Sequence, residues 1–205
     1  MRSAAKTKRD HGRTCAASQC GVDGRGRWPY AARLDWGPSA LSTTFVAEKP
    51  EHRNGIEAVL DRAFGPGRFA KTSERVRERG ARAEPSLSRV AVSESGAIVG
   101  VCRISAIEAG APLFFLGPLA VDPSVQSNGV GLLLVREAVA ACRARGGAAI
   151  VLVGAQKFFQ PIGFTVVPEG RLRMPGPVDP ARFLWAELRP GGFEKIRGEL
   201  KAPGR

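Results

Sequence analysis

The chain is 205 residues long, has 43% apolar residues, and carries a formal net charge of +12 from 31 Lys and Arg against 19 Asp and Glu. This length suits one domain with a substantial core and leaves room for an appendage. No apolar run reaches the roughly 18 residues of a membrane-spanning helix, and the N-terminus lacks a secretory apolar core, so we expect a cytoplasmic protein without membrane partners.

The positive charge is spread along the chain. Residues 1–40 hold eight Lys and Arg against three Asp, a net +5, which leaves +7 for the rest of the chain. A basic surface attracts polyanions without specificity. We favour diffuse surface charge over a nucleic-acid site, because no helix-turn-helix or RNA-binding aromatic signature accompanies it.

The four cysteines do not predict a metal site. His11, Cys15 and Cys20 lack a fourth ligand at zinc-finger spacing. Cys102 and Cys142 lie in an apolar strand and an apolar helix, where cysteine behaves as a small buried hydrophobe. We therefore predict no metal.

Residues 1–40 show no helical or strand periodicity, and we interpret them as a basic, disordered extension. A domain over 41–190 follows, with a first strand over 43–47, an amphipathic helix over 51–64 and a charged helix over 69–79. The charged helix carries three arginines: Arg75, Arg77 and Arg79. They would contact an anion or substrate in one interpretation and form a solvated helix face in the other, and we favour the solvated face.

Three antiparallel strands are predicted next, over 88–93, 97–107 and 113–121. Pro118 cannot donate a ladder hydrogen bond, so it predicts a bulge within the third strand. A helix begins near Gly129 and leads to an apolar strand over 148–153, a crossover that favours parallel pairing.

The remainder of the chain contains shorter predicted elements. A short helix over 156–160 precedes closing strands over 164–167 and 183–188. Residues 191–205 form a C-terminal tail, and its last dozen residues are polar, which predicts a frayed end.

The loop before the long helix contains Gly129 and Gly131. A strand that leads into such a loop and a helix leaves backbone N–H groups unpaired, and the helix dipole makes them a phosphate site. A Walker A loop would need Lys where Leu132 stands, and a dinucleotide loop would need a third glycine where Leu134 stands. Both of these loop types are therefore rejected.

The pattern Gln126-x-x-Gly129-x-Gly131 resembles the acetyl-CoA pyrophosphate loop of the GCN5-related N-acetyltransferases (the GNAT superfamily). The segment 154–164, which ends in Gly163-Phe164, resembles the later helix of that family and its Gly-Phe ending. Together they are similar to the bacterial YhbS-like group over about residues 43–188. The resemblance implies a mixed α/β (α+β) fold with antiparallel N-terminal strands, a splayed parallel strand pair around the acetyl-CoA slot, and flanking helices.

The resemblance implies that acetyl-CoA is the co-substrate. The edge of Leu119, Ala120 and Val121 would pair with the pantetheine amides, and Phe158 and Phe159 would pack beside them. Backbone N–H groups of the loop would hold the pyrophosphate: Gln126, Ser127, Asn128, Gly129, Val130 and Gly131.

The resemblance further implies direct attack of an amine on the acetyl thioester, with a backbone N–H near Leu119 as the oxyanion donor. The family's usual tyrosine acid is replaced here by Phe158-Phe159, and the single tyrosine is Tyr30. Glu108 and Asp122 are weak candidates for the base, since solvated turn carboxylates are common at such positions. The catalytic side chains therefore stay unassigned.

Three functions remain open. The first is acetyl transfer to an amine of a small molecule or protein, whose pocket would lie between the first helices and the 168–182 loop. The second is acyl-CoA binding with little or no catalysis, and the third is association with nucleic acid. A homodimer is left open as the assembly.

Overall fold

The computed structural model describes residues 43–67, 72–126 and 128–204. The predictions for the basic extension, for Tyr30 and for the cysteines at 15 and 20 lie outside these residues, as does Ser127. None of the helices described is long and apolar enough to cross a membrane.

The helices and strands predicted from the sequence are present, with ends shifted by a few residues. The first half of the domain contains β1 (Thr44–Ala47), α1 (Arg53–Phe64), α2 (Thr72–Glu78), β2 (Arg89–Val92), β3 (Ile98–Glu108) and β4 (Pro112–Val121). The second half contains α3 (Val130–Ala144), β5 (Ala149–Val153), α4 (Gln156–Phe159), β6 (Thr165–Val166), β7 (Leu172–Arg173), β8 (Phe183–Glu187) and β9 (Gly198–Glu199).

Seven of the strands form one sheet in the order β1-β2-β3-β4-β5-β8-β6. Neighbours from β1 to β4 are antiparallel, β4 and β5 are parallel, and β8 pairs antiparallel with both β5 and β6. The α3 crossover makes the parallel pair possible, since parallel strands need a connection of this length. The predicted mixed α/β fold is confirmed.

The parallel pair separates part of the way along β4. Its last paired residues are Leu116 and Leu152, and β4 continues to Val121 without a β5 partner. On the other edge of β4, the register with β3 shifts around Gly117 and Pro118, which are joined by a cis peptide bond. The bulge predicted at Pro118 is therefore confirmed, and it lies where the two strands diverge.

Helix α3 buries one face against the sheet. Leu134, Val135, Ala138, Val139 and Cys142 recur at helical spacing and are all buried. Cys142 and the β3 residue Cys102 are buried free thiols, as predicted, and burial raises the pKa of Cys142 to about 12.

The expectation of a frayed C-terminal end is wrong. Ile196 and Leu200 are fully buried, and the ring of Phe193 stacks on Trp185 with ring centroids 3.8 Å apart. Strand β9 also pairs with β7 in a second, two-stranded sheet. Ile196 and Leu200 belong to one core cluster, and Phe193 packs against it.

Candidate functional site

The loop between β4 and α3 leaves the start of the helix uncapped. Gly129 occupies the N-cap position in the left-handed conformation, with φ of 78°, and no side chain caps the helix there. The first intrahelical bond runs from Leu133 N–H to the Gly129 carbonyl, at 3.0 Å. The N–H groups of the first turn therefore point out of the helix, where they can donate hydrogen bonds to an anion.

Gly131 keeps the surface of this turn open. A Cβ at this position would lie 3.3 Å from Val121 Cγ2, closer than ordinary contact, and 3.4 Å from Phe158 Cζ, at the near limit of ordinary contact. The end of β4 and the ring of Phe158 thus form a narrow cradle over the first turn of α3, and glycine leaves this cradle clear.

Asp122 braces this loop. Its carboxylate accepts hydrogen bonds from the Ser124 N–H at 3.0 Å, from the Ser124 hydroxyl at 2.7 Å, and from Arg62 Nε at 2.7 Å. The hydrogen bonds from Ser124, and then those from Arg62, lower the pKa of Asp122 below its usual value. Asp122 lies next to the loop, as predicted, but its lowered pKa makes it a poor proton acceptor. The side chain of Gln126 also braces the loop, because its Nε2 donates to the Val121 carbonyl at 3.1 Å.

Glu108 is not brought to the site. It lies at the opposite end of β3, where it pairs with Lys201 at 2.9 Å and accepts a hydrogen bond from the Gly204 N–H. The hydrogen bond from Lys201 and then that from Gly204 lower the pKa of Glu108. This carboxylate joins the C-terminal segment to the sheet.

A cavity of about 990 Å³ opens where β4 and β5 diverge. One wall is formed by the diverging strand ends and α4: Phe115, Leu116, Gly117, Pro118, Leu119, Leu152, Val153, Gly154, Ala155, Phe158 and Phe159. The other wall comes from α1, α2, β3 and the loop before β8: Glu57, Leu60, Phe64, Glu74, Arg77, Arg103, Pro177, Val178, Asp179 and Arg182. The first helices and the 168–182 loop thus line this cavity, and its use as an acceptor pocket stays a prediction.

The two phenylalanines of α4 have different environments. Phe158 is 41% exposed and is the single exposed large apolar side chain among the residues described, whereas Phe159 is only 6% exposed. Phe159 packs edge-on against both Phe158 and Phe164, at centroid distances of 4.8 Å and 5.7 Å. Phe158 therefore connects the α3 cradle to the cavity, while Phe159 belongs to the core.

Sequence reasoning missed the charged residues of the cavity. Arg103 lies opposite the bulge, where its guanidinium binds Glu48 at 2.8–3.1 Å and approaches Glu57 at 3.6 Å. Its signal in the sequence is a lone charge inside the apolar run of β3. Arg77 shows no such signal.

Of the three arginines predicted to form a solvated face, two lie in α2 and Arg79 follows its end, and one of the three contradicts that interpretation. Arg75 is exposed, and Arg79 forms a half-exposed pair with Glu199 at 2.5 Å. Arg77 is only 25% exposed, pairs with Glu74, and donates to the Gly117 carbonyl at 3.3 Å. The solvated interpretation holds for two residues and is wrong for Arg77.

Comparisons with known proteins agree with this geometry. The family model described as "Acetyltransferase (GNAT) family" matches residues 54–164, from α1 to the Gly-Phe ending after α4. A comparison with curated proteins finds no match.

Solved structures similar to this chain include the GNAT family N-acetyltransferase YhbS from Escherichia coli in complex with CoA, with 25% identity and a TM-score of 0.68 over 79% of this chain and 90% of that one. A GNAT family acetyltransferase from Brucella melitensis in complex with acetyl-CoA has 24% identity and a TM-score of 0.57, over 79% of this chain and 96% of that one. The ribosomal-protein-S18-alanine N-acetyltransferase from Escherichia coli has 17% identity and a TM-score of 0.51, over 71% of this chain and 94% of that one. The resemblance inferred from the sequence, including that to the YhbS-like group, is confirmed.

Proposed function

This chain belongs to the acetyltransferase (GNAT) family, and we propose that it transfers the acetyl group of acetyl-CoA to an amine of a small molecule or protein. The observation that carries the proposal is the uncapped start of α3, with Gly129 and Gly131, beside a cavity between diverging strands.

The chain's own residues fit the cofactor in two places. The N–H groups from Gln126 to Gly131, with Ser127 among them, would hold the pyrophosphate, since the first turn of α3 has no side-chain cap. The edge of β4 at Leu119–Val121 has no β5 partner and could pair with the pantetheine amides as an added strand would. Bound there, acetyl-CoA supplies an activated acetyl thioester.

The proposed reaction requires few catalytic groups from the protein. The backbone N–H of Leu119 would stabilise the negative charge that develops on the thioester oxygen when the amine attacks. A thiol with a pKa of about 8.5 can leave as thiolate and take a proton from solvent, so no tyrosine acid is required. Neither Asp122 nor Glu108 is suited to take the proton from the amine, and we assign no base.

Acyl-CoA binding without turnover is the second candidate. It is favoured by one observation: no tyrosine lies among the residues described, and Phe158-Phe159 stands where the resemblance places the family's tyrosine acid. No comparable observation favours a nucleic-acid site. A cytoplasmic location and a homodimer stay predictions.

Two measurements test the proposal. Calorimetric titration with acetyl-CoA should show saturable binding, and absence of binding at millimolar ligand would overturn both candidates. Thiol release from acetyl-CoA should then be followed with a panel of alkyl monoamines, polyamines, amino acids and peptides with a free N-terminus. Turnover with any member supports acetyl transfer, whereas binding without turnover across the panel supports the second candidate.

A further inference from the structure

We propose that Arg77 is a positioning residue of the acetyl-transfer site, which holds the β4 bulge in place and thereby the strand edge at Leu119–Val121. The inference rests on the proposed function, since that edge is where the thioester would be held. The inference depends on the contacts of Arg77 in the structure. The sequence alone places this residue among solvated arginines.

The first step is that the bulge interrupts the register of β4 with β3 at a buried residue. Gly117 is buried, yet the register with β3 passes from Leu116 directly to Leu119, and the pairing with β5 ends at Leu116. A buried carbonyl is destabilising unless it accepts a hydrogen bond. Arg77 Nη1 donates to the Gly117 carbonyl at 3.3 Å and so links α2 to the bulge.

The second step is that Arg77 is itself held in place. Its Nε donates to Glu74 Oε1 at 2.9 Å, and its Nη2 pairs with the other carboxylate oxygen of Glu74. The neighbouring Val76 is buried in the same core cluster as Phe115 of β4. Because a guanidinium is a rigid planar fork, a carboxylate on one edge directs the remaining nitrogen toward the bulge.

The third step concerns distance along the chain. Leu119 lies two residues beyond Gly117, so a shift of the bulge carries the Leu119 N–H with it. A misplacement of about 1 Å can cost on the order of 100-fold in rate. The loop at Gly129–Gly131, which would hold the pyrophosphate, is separate in sequence from the bulge, so loss of Arg77 should reduce kcat more than affinity for acetyl-CoA.

The kinetic test compares Arg77→Gln with Arg77→Lys and with Arg75→Gln, which removes an exposed arginine from the same helix. Acetyl-CoA and the fastest amine of the panel serve as probes. We expect Arg77→Gln to lower kcat about 10- to 100-fold with a change below about threefold in the Kd of acetyl-CoA. Arg77→Lys should recover part of kcat, since one ammonium can still reach the carbonyl.

Two results would overturn the assignment. One is equal kcat in Arg77→Gln and Arg75→Gln. The other is a parallel loss of kcat and acetyl-CoA affinity without recovery in Arg77→Lys, which would indicate general damage to the fold. If Arg77→Gln does not fold, the test uses Glu74→Gln, because this variant removes the carboxylate that directs the guanidinium. We expect kcat of Glu74→Gln to fall about 3- to 10-fold. An unchanged kcat overturns the assignment.

A ligand-free readout separates this inference from the proposed function. The backbone amide resonances of Leu119, Ala120 and Val121 should shift in Arg77→Gln and stay in place in Arg75→Gln, and unchanged resonances in both overturn the role of Arg77. Failure of the unaltered protein to bind acetyl-CoA would overturn the proposed function instead, and the positioning role with it. Normal turnover combined with unshifted amides overturns the role of Arg77 alone.

Discussion

The ring of Phe158 covers Gly131: a Cβ on that glycine would stand 3.4 Å from Phe158 Cζ. An exposed aromatic ring thus closes over the turn that would bind pyrophosphate, while its neighbour Phe159 supports it from the core. The two adjacent residues have separable roles, one in binding and one in stability.

Alanine substitutions should separate these roles. Phe159→Ala should lower the free energy of unfolding by about 3–5 kcal/mol, since it leaves a cavity in the core. Phe158→Ala should cost far less stability, because the side chain is 41% exposed, yet weaken acetyl-CoA binding about 10-fold through lost contact area. Chemical denaturation and calorimetry provide the two measurements. Equal effects of the two variants on stability would contradict this division.

The charge of the α3 cradle can be tested at Gly129. Gly129→Asp should weaken acetyl-CoA binding by at least about 100-fold, because a carboxylate would repel the pyrophosphate at the helix start. Asp, like Asn, visits the left-handed conformation more readily than most residues, and so the fold should be retained. Gly129→Asn is the matched control, since it has a similar shape and tolerates the left-handed conformation without the charge.

In calorimetric titrations, Gly129→Asn should therefore bind acetyl-CoA more tightly than Gly129→Asp. Equal affinities would mean that bulk rather than charge determines binding at this position.

The loop brace at Asp122 should make stability depend on pH. The folded-state pKa of Asp122 lies below its unfolded value, so its contribution is complete above the unfolded pKa of about 3.9 and is lost as pH falls through the folded pKa. Asp122→Asn should lower the free energy of unfolding by about 1–3 kcal/mol at neutral pH, and this difference should shrink in acid.

The measurement is urea denaturation of both proteins between neutral pH and about pH 2. Glu108→Gln is the control, because it removes another carboxylate with a lowered pKa that lies in a more exposed ion pair. Its effect should be smaller at every pH. A difference between Asp122→Asn and the unaltered protein that persists undiminished in acid would rule out the ionised carboxylate as the cause.

The C-terminal segment should behave as part of the domain. Leu200→Ala should lower the free energy of unfolding by about 2–5 kcal/mol, because Leu200 is fully buried. Lys201→Ala, at an exposed neighbour, should have a much smaller effect. Thermal unfolding of the two variants checks this expectation, and equal midpoints would show that the segment contributes nothing to the core.

Local signals made the bulge and the uncapped helix start predictable. The bulge followed from the missing N–H of Pro118, and the helix start from glycines placed at the junction of a strand and a helix, whereas phosphate binding there stays a prediction. Both inferences depend on backbone geometry within a few residues of the proline or glycine concerned, and these residue types can be read directly from the sequence.

The residues that sequence reasoning missed depend on contacts between distant parts of the chain. Arg77 is distinguished from Arg75 and Arg79 only by the carbonyl of Gly117, 40 residues further on. The buried state of Ile196 and Leu200 likewise depends on their place in a core cluster. Neither fact has a local pattern, since a charged helix and a polar tail look the same whether or not a distant partner meets them.

Strand β8 gives the opening between β4 and β5 a rigid frame. All five residues of β5 pair with β8, from Ala149 with Glu187 to Val153 with Phe183, and the Gly154 N–H continues the ladder to the Arg182 carbonyl at 2.9 Å. The pairing with β8 therefore supports β5 along the edge that faces away from β4. We expect such a supported strand to lose little backbone entropy when a ligand binds between β4 and β5.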